Sequence, residues 1–186
     1  PFISIRGDLM GDSELIIRRI AKERDLDLSP GMSLHDLAIA RATQSMIEED
    51  LYWSLVYARW IDDRFWSTTR DVFKPMLPPI VRNFLPAIVR KDIKKSLHSQ
   101  GIGRHTEEEI YDHAEELIDV FAELLGDRPY FLSDEPTVFD AACYGMFENI
   151  LHGTQNLPQK DAAKKHANIV RYTESLRDRY FPEFKE

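Results

Sequence analysis

The pair Asp12-Ser13 has the residue types and the position to hold a small zwitterion. It follows two short apolar stretches separated by a turn at residues 6–8, and it precedes apolar residues at helical spacing. At a helix start, free N–H groups and the Ser13 hydroxyl can hold a carboxylate, while the Asp12 carboxylate can hold a neighbouring ammonium. The pair could therefore bind an α-amino acid end. The alternative, which is the commoner role of these residue types, is that Asp12 or Ser13 merely caps the helix.

A second candidate is the aromatic group Trp53, Tyr57 and Trp60, whose spacing of i, i+4 and i+7 puts the three rings on one helix face. The Tyr hydroxyl and Trp N–H could orient an apolar ligand in a cleft, with Tyr57 and Trp60 as the first candidates. The alternative is packing in the core or in a dimer, the more frequent role of aromatic stripes.

Other reactive residue types give no site. His105, Glu109 and His113 are four residues apart, but His105 precedes the predicted helix, so we expect no metal site. Cys143 lies in the middle of an apolar helical stretch, which predicts a buried, inert thiol. The sequence has no Ser-His-Asp grouping and no glycine-rich phosphate loop. The catalytic residue therefore stays unknown.

Composition limits the function classes. The chain has 186 residues, 24 basic and 32 acidic side chains, a net charge of −8 and 43% hydrophobic residues, which is typical of a globular protein and argues against nucleic-acid binding. A single cysteine favours a reducing, cytoplasmic compartment. The apolar segment 84–89 with the basic residues after it could touch an anionic membrane or a partner helix. We expect it instead to pack on a helical bundle with its basic face in water, without membrane contact.

Capping signals and breakers predict the elements that position these residues. Two short strands and a helix precede a linker at 25–32, and an S-x-x-D box at Ser33 opens a helix that continues to about Asp62. Prolines predict a loop after residue 75 and a helix kinked at Pro86. Boxes at Thr106 and Thr137 open helices that end at Gly126 and near residue 153, and a last helical stretch covers 160–180 with a break near 167.

Several of these motifs resemble the glutathione S-transferase superfamily, and the similarity covers nearly the whole chain. The carrying residues are Pro1-Phe2-Ile3 and Asp12-Ser13 in the thioredoxin-like domain, Thr137 to Asp140 in the all-helical domain, and residues 101–105, 125–131 and 136–140, which resemble the failed-axon-connections and metaxin-like branch. The resemblance implies a mainly α fold, with a partial thioredoxin-like β-β-α unit followed by an all-helical C-terminal domain. The expected domains are residues 1–28 and 33–186.

The resemblance also implies roles for individual residues. Pro1 would be the family's cis-proline, and Asp12-Ser13 the pair that binds the γ-glutamyl end of glutathione. Tyr57, Trp60 and Trp53 would border the pocket for the apolar second substrate, and the pair Thr137 and Asp140 would be a structural cap. The family's first strand, with the Tyr, Ser or Cys that activates the glutathione thiol, would precede Pro1.

Two functions follow from the resemblance. The first is a glutathione-binding, transferase-like protein that uses the thiol of its co-substrate glutathione on a small electrophile. The second is a non-catalytic interaction module with the same fold, as in metaxin-like relatives. A homodimer is the family expectation. The presence of a thiol-activating residue upstream of Pro1 would distinguish the two functions.

Overall fold

The computed structural model, which describes residues 1–184, begins with a β-hairpin and a helix. Strand β1, Phe2–Ile5, pairs antiparallel with β2, Asp8–Gly11, so that Phe2 lies opposite Gly11. Arg6 and Gly7 both have positive φ, 54° and 93°, which is the backbone that a two-residue hairpin turn requires. Helix α1, Ser13–Arg24, follows directly. The N-terminal unit is thus β-β-α, as predicted.

The longest helical stretch combines three segments, α2 (Leu34–Ser45), a π-helical turn (Met46–Leu51) and α3 (Tyr52–Trp60). Ser33 caps its start by accepting a bond from the backbone N–H of Asp36. The prediction of an unbroken helix is confirmed in outline, but the helix ends two residues early and contains a wide turn. The turn puts Ile47 and Leu51 fully inside the core.

The next elements are α4 (Asp63–Phe73), a 3₁₀ turn (Lys74–Met76), α5 (Leu85–Gln100) and a second 3₁₀ turn (Ile102–Arg104). The predicted kink at Pro86 is wrong. Pro86 is the second residue of α5, where its missing N–H would have had no intrahelical acceptor and its fixed φ suits the first turn.

The rest of the chain forms α6 (Glu107–Leu125), α7 (Val138–Leu151), α8 (Pro158–Lys164), α9 (Ala167–Tyr180) and a 3₁₀ turn (Pro182–Phe184). The capping box at Thr106 is confirmed, and Gly126 follows α6 with a φ of 56°. The break between α8 and α9 lies at residues 165–166, close to the predicted position.

The core lies within the helical part. Phe121 is fully buried and packs against the rings of Phe131, Phe147 and Tyr172 at centroid distances of 5.2, 4.5 and 6.0 Å. The buried members of this core start at Ala40, so the β-β-α unit contributes none of them. The predicted fold class is confirmed: a small N-terminal sheet and helix followed by an all-helical region. In the described part of the chain, no helix has the length and apolarity to span a bilayer.

Candidate functional site

Asp12 connects β2 to α1 in a strained backbone conformation. Its φ of 72° and ψ of 119° lie outside the regions that residues with a Cβ ordinarily adopt. Its Oδ1 accepts bonds from the backbone N–H groups of Glu14 (2.9 Å) and Leu15 (3.1 Å), and its carbonyl accepts one from Ile16 (3.0 Å). Such strain costs about 1–3 kcal/mol and is concentrated at functional sites. Asp12 is therefore a helix cap held in a conformation that capping alone does not require.

Fewer backbone N–H groups are free to bind a ligand at this helix start than the sequence predicted. The N–H groups of Glu14 and Leu15 are not free, because the Asp12 carboxylate already binds them. Within residues 1–184, the Ser13 N–H and hydroxyl and Asp12 Oδ2 have no hydrogen-bond partner, and both residues are exposed. A carboxylate can therefore meet the two Ser13 donors, and an ammonium can meet Asp12 Oδ2.

Ser13 borders a groove of about 200 Å³ between α1, the α2–π segment and α7. Glu14 forms ion pairs with Arg18 and Arg41 at its edge. Arg41 also donates to Gln44 Oε1 (3.2 Å) and lies over the Phe139 ring at 5.5 Å. Arg41 therefore joins α1 to α2 and α7 and fixes the helix that carries Ser13. Sequence reasoning missed it, because no local pattern pairs residues 27 positions apart.

Pro1 lies beside this helix start. It precedes β1, whose Phe2 pairs with Gly11, the residue before Asp12. The peptide bond that would precede Pro1 lies outside the chain, so its cis geometry stays a prediction. The hairpin register thus brings Pro1, Asp12 and Ser13 to one end of the β-β-α unit.

The aromatic candidates do not share one site. Trp53 and Tyr57 pack on a small cluster formed by Leu97, Ile102 and Ile110, and the Tyr57 ring lies edge-on to Tyr111 at 6.1 Å. Burial, together with the carboxylates of Glu107 and Asp62, raises the pKa of Tyr57, so it is a neutral phenol at neutral pH.

Trp60 instead lines an apolar cavity of about 320 Å³ between α3, α4 and α5. Its ring lies 5.7 Å from Trp66 and 5.2 Å from Phe73. Glu48, at the edge of the Ser13 groove, lies twelve residues before Trp60 on the same helical stretch, about 18 Å along its axis at 1.5 Å per residue. The Trp60 cavity is therefore a separate binding volume from the Ser13 groove.

A buried carboxylate at the start of α4 organises the neighbourhood of these rings. Asp62 accepts bonds from Tyr111 Oη (2.6 Å) and from Arg64 Nε (2.9 Å), and it caps α4 through the Arg64 N–H. Burial opposes its ionisation, yet the bonds from Arg64 and Tyr111 outweigh burial and hold the pKa of Asp62 below its usual range. Burial and the bond to Asp62 raise the pKa of Tyr111. This cluster positions α4 against α6.

Thr137 and Asp140 form a reciprocal capping box at the start of α7. Asp140 is 2% exposed, and its Oδ2 accepts from the Thr137 N–H at 2.7 Å. Its Oδ1 accepts from the Phe131 N–H (2.8 Å) and Tyr172 Oη (2.9 Å). The carboxylate therefore connects the loop before α7 to α9, which is a structural task beyond capping one helix.

The cysteine and histidine candidates lie far apart in the structure, one in the core and the others on the surface. Cys143 is fully buried, and burial raises the pKa of its thiol far above that of a free cysteine, so it is not a nucleophile in this fold. His105 lies 3.6 Å from Glu109 on the surface. The described residues contain no group of three or more side chains arranged to hold a metal ion.

Comparisons with known proteins agree with this architecture. The profile of the glutathione S-transferase N-terminal domain matches residues 1–65, and that of the C-terminal domain matches residues 114–176. The isoprene-epoxide–glutathione S-transferase of Rhodococcus sp. (strain AD45) is 32% identical, over 94% of this chain and 74% of its own length.

Two further relatives are not named as transferases. Failed axon connections of Drosophila melanogaster is 27% identical over the whole of this chain, which spans 47% of that protein, about half its length. Human metaxin-2 is 22% identical over 97% of this chain and 69% of its own length. The β-β-α unit, the helical region and these similarities together show that the chain belongs to the glutathione S-transferase family, among relatives that include Failed axon connections and the metaxins.

Proposed function

We propose that this protein binds glutathione at Asp12-Ser13 and acts as a glutathione transferase on a small electrophile. The observation that carries the proposal is the backbone of Asp12, whose positive φ presents a carboxylate beside the exposed hydroxyl of Ser13 at a helix start. A transferase relative 32% identical to this chain supports the same ligand.

Each end of the γ-glutamyl group has a matching partner. Its carboxylate accepts bonds from the Ser13 N–H and hydroxyl, helped by the positive end of the α1 dipole. Its ammonium donates to Asp12 Oδ2, while Asp12 Oδ1 keeps the cap on Glu14 and Leu15. Pro1 lies beside this end of the peptide. Two opposite charges with one spacing give the site its selectivity for an α-amino acid end.

The role of Trp60 in the pocket for the apolar co-substrate stays a prediction, because its cavity, although lined by aromatic and aliphatic side chains, is separate from the Ser13 groove. Tyr57 and Trp53 pack on the cluster of Leu97, Ile102 and Ile110 and do not line that cavity. In the reaction, the glutathione thiolate forms a bond to the electrophilic carbon, and the bond to the leaving group or the epoxide oxygen breaks. The chain acts in the cytoplasm as a homodimer.

A second candidate function is a non-catalytic interaction module. It is favoured by the similarity to Failed axon connections and metaxin-2. The two functions differ in whether glutathione binds at Ser13.

Calorimetric titration with glutathione tests the proposal. Asp12→Asn keeps an amide oxygen as the cap but removes the charge, and Ser13→Ala removes one hydroxyl at an exposed helical position. Each change is expected to weaken binding about tenfold or more, since a hydrogen bond to a charged group contributes about 1.5–3 kcal/mol.

The matched control is Ser67→Ala, on the exposed surface of α4, which should bind as the parent chain does. Circular dichroism confirms that all variants fold. An absence of binding by the parent chain at millimolar glutathione would reject the transferase function and favour the interaction module.

A further inference from the structure

The segment between the end of α4 and the first half of α5, residues 70–95, exposes an unusual number of large apolar side chains. We call this segment the basic tip. Its exposed apolar members, each between 42% and 86% accessible, are Val72, Phe73, Met76, Ile80, Phe84 and Ile88. Scattered exposed hydrophobic residues are normal, but a group this dense marks an interaction surface.

The basic tip is an ordered scaffold, because a second set of apolar residues packs beneath the exposed set. Leu77, Leu85, Pro86 and Val89 border the cavity that Trp60 lines. Backbone bonds from Val81 to Pro78 (3.0 Å) and from Leu85 to Val81 (2.8 Å) fix the turns between the 3₁₀ turn and α5. Met76, Ile80, Phe84 and Ile88 are therefore held outward. The helix packs on the bundle through residues such as Pro86, as expected, but it exposes apolar side chains as well as basic ones.

Positive charge is concentrated in the same segment. The basic tip contains seven basic and two acidic residues, a net of +5 in a chain of net −8. Arg90 is engaged, since it donates to the carbonyl of Ile61 and pairs with Asp63. Within residues 1–184 no ion pair involves Lys74, Arg82, Lys91 or Lys94, and all four are exposed.

We propose that the basic tip binds the surface of an anionic lipid bilayer, with Met76 and Ile80 entering the interface and the lysines and arginines above meeting lipid head groups. Met76 and Ile80 are 73% and 86% exposed, so they protrude as an insertion element and do not line a recess. Unpaired cations beside protruding apolar side chains are what an anionic interface attracts. A nucleic acid would use the cations and leave the apolar side chains unsatisfied.

This proposal is independent of glutathione binding, since Asp12 and Ser13 belong to the β-β-α unit and not to the basic tip. It adds to the proposed glutathione site a second surface, which would bring the protein to an anionic membrane. The binding is peripheral, because the tip contains short turns and half of one helix, and no bilayer-spanning helix is present in the part of the chain described.

Sedimentation with extruded vesicles tests the proposal. One set contains phosphatidylcholine alone and the other contains phosphatidylcholine with phosphatidylserine. We expect binding to the anionic set that falls at least tenfold in 0.5 M salt or in the variant Lys74→Gln/Arg82→Gln, since each cation near such a surface contributes about fivefold. The variant Met76→Ser/Ile80→Ser should lose binding to a similar extent.

Two matched controls change the same residue types elsewhere. Leu34→Ser removes a side chain that is 87% exposed at the start of α2, and Lys22→Gln/Arg24→Gln removes two cations from α1. Both should sediment with anionic vesicles as the parent does. Equal binding to both vesicle sets, or none, would overturn the proposal. So would self-association that Met76→Ser/Ile80→Ser abolishes in the absence of vesicle binding, because the occupant would then be a second copy of the chain.

Discussion

Asp12 caps α1 from a backbone conformation that is unfavourable for its residue type. As a cap it binds Glu14 and Leu15, but any residue with a Cβ is strained at its φ of 72°. We predict that Asp12→Gly raises the protection of α1 amides in hydrogen exchange severalfold, because relief of about 1–3 kcal/mol of strain exceeds the few tenths lost when glycine replaces the cap. The same variant should lose glutathione binding. Lower protection of α1 would mean that the conformation is dictated by folding alone.

Asp62 couples stability to pH. Its folded pKa is depressed, so its contribution is complete above the unfolded value of about 3.9 and is lost as pH falls through the folded pKa. We predict that the free energy of unfolding, measured in urea, falls between pH 5 and pH 2.5, and that Asp62→Asn falls less steeply.

The matched control for this change is Asp112→Asn, an exposed α6 carboxylate with no ion pair in the described part of the chain. It should follow the parent's pH dependence. A parallel decline in the parent and in Asp62→Asn would show that other carboxylates control acid unfolding.

At the scale of elements, α5 and the 3₁₀ turn after it are packed at backbone distance. A Cβ built on Gly103 would lie 2.8 Å from the backbone nitrogen of His98 and the carbonyl carbon of Leu97. We predict that Gly103→Ala lowers the free energy of unfolding by about 1–3 kcal/mol, because the backbones must separate. The control, Gly145→Ala in α7, meets nothing within 4 Å and should raise it by about 0.5–1 kcal/mol. Urea denaturation measures both free energies of unfolding. If Gly103→Ala is as stable as the parent chain or more stable, the close packing of the two backbones is refuted.

Local signals predicted the start of several elements, because a cap involves residues only three apart. Ser33 and Thr106 open helices where the sequence places them. The sequence did not predict the π turn at 46–51, which places Ile47 and Leu51 in the core. It also did not predict that Pro86 lies in the first turn of α5, because the end of the preceding loop has no local signal. Of the candidate site, the pair Asp12-Ser13 was visible as a local pattern.

The remainder of the site depends on contacts between distant residues. Arg41 reaches Glu14 across 27 positions, and Tyr111 reaches Asp62 across 49. No spacing rule connects such pairs, because tertiary packing alone brings their helices together. For the same reason the sequence grouped Trp53 and Tyr57 with Trp60, although their shared helix packs against different neighbours along its length.

On the scale of the whole molecule, we propose that the chain divides at the linker into residues 1–28 and 33–186, with unequal stability. The buried core lies in the second part, whereas α1 buries only Ile16 and Ala21. A two-stranded sheet contributes little stability by itself. We expect hydrogen exchange to show fast amides in β1, β2 and α1 and slow amides in α6 and α7, because local opening free energy follows buried apolar contact.

Glutathione binding should reduce the difference in amide exchange rate between α1 and the helical core. If glutathione binds at Ser13, it stabilises the closed form of the β-β-α unit by mass action, which at a hundredfold excess over Kd amounts to about 2.7 kcal/mol. Exchange of α1 amides should then slow by up to about a hundredfold, while α6 amides, whose exchange requires opening of the core, change little. Equal slowing in α6 would mean that the two parts open as one unit, and the proposed division at the linker would be wrong.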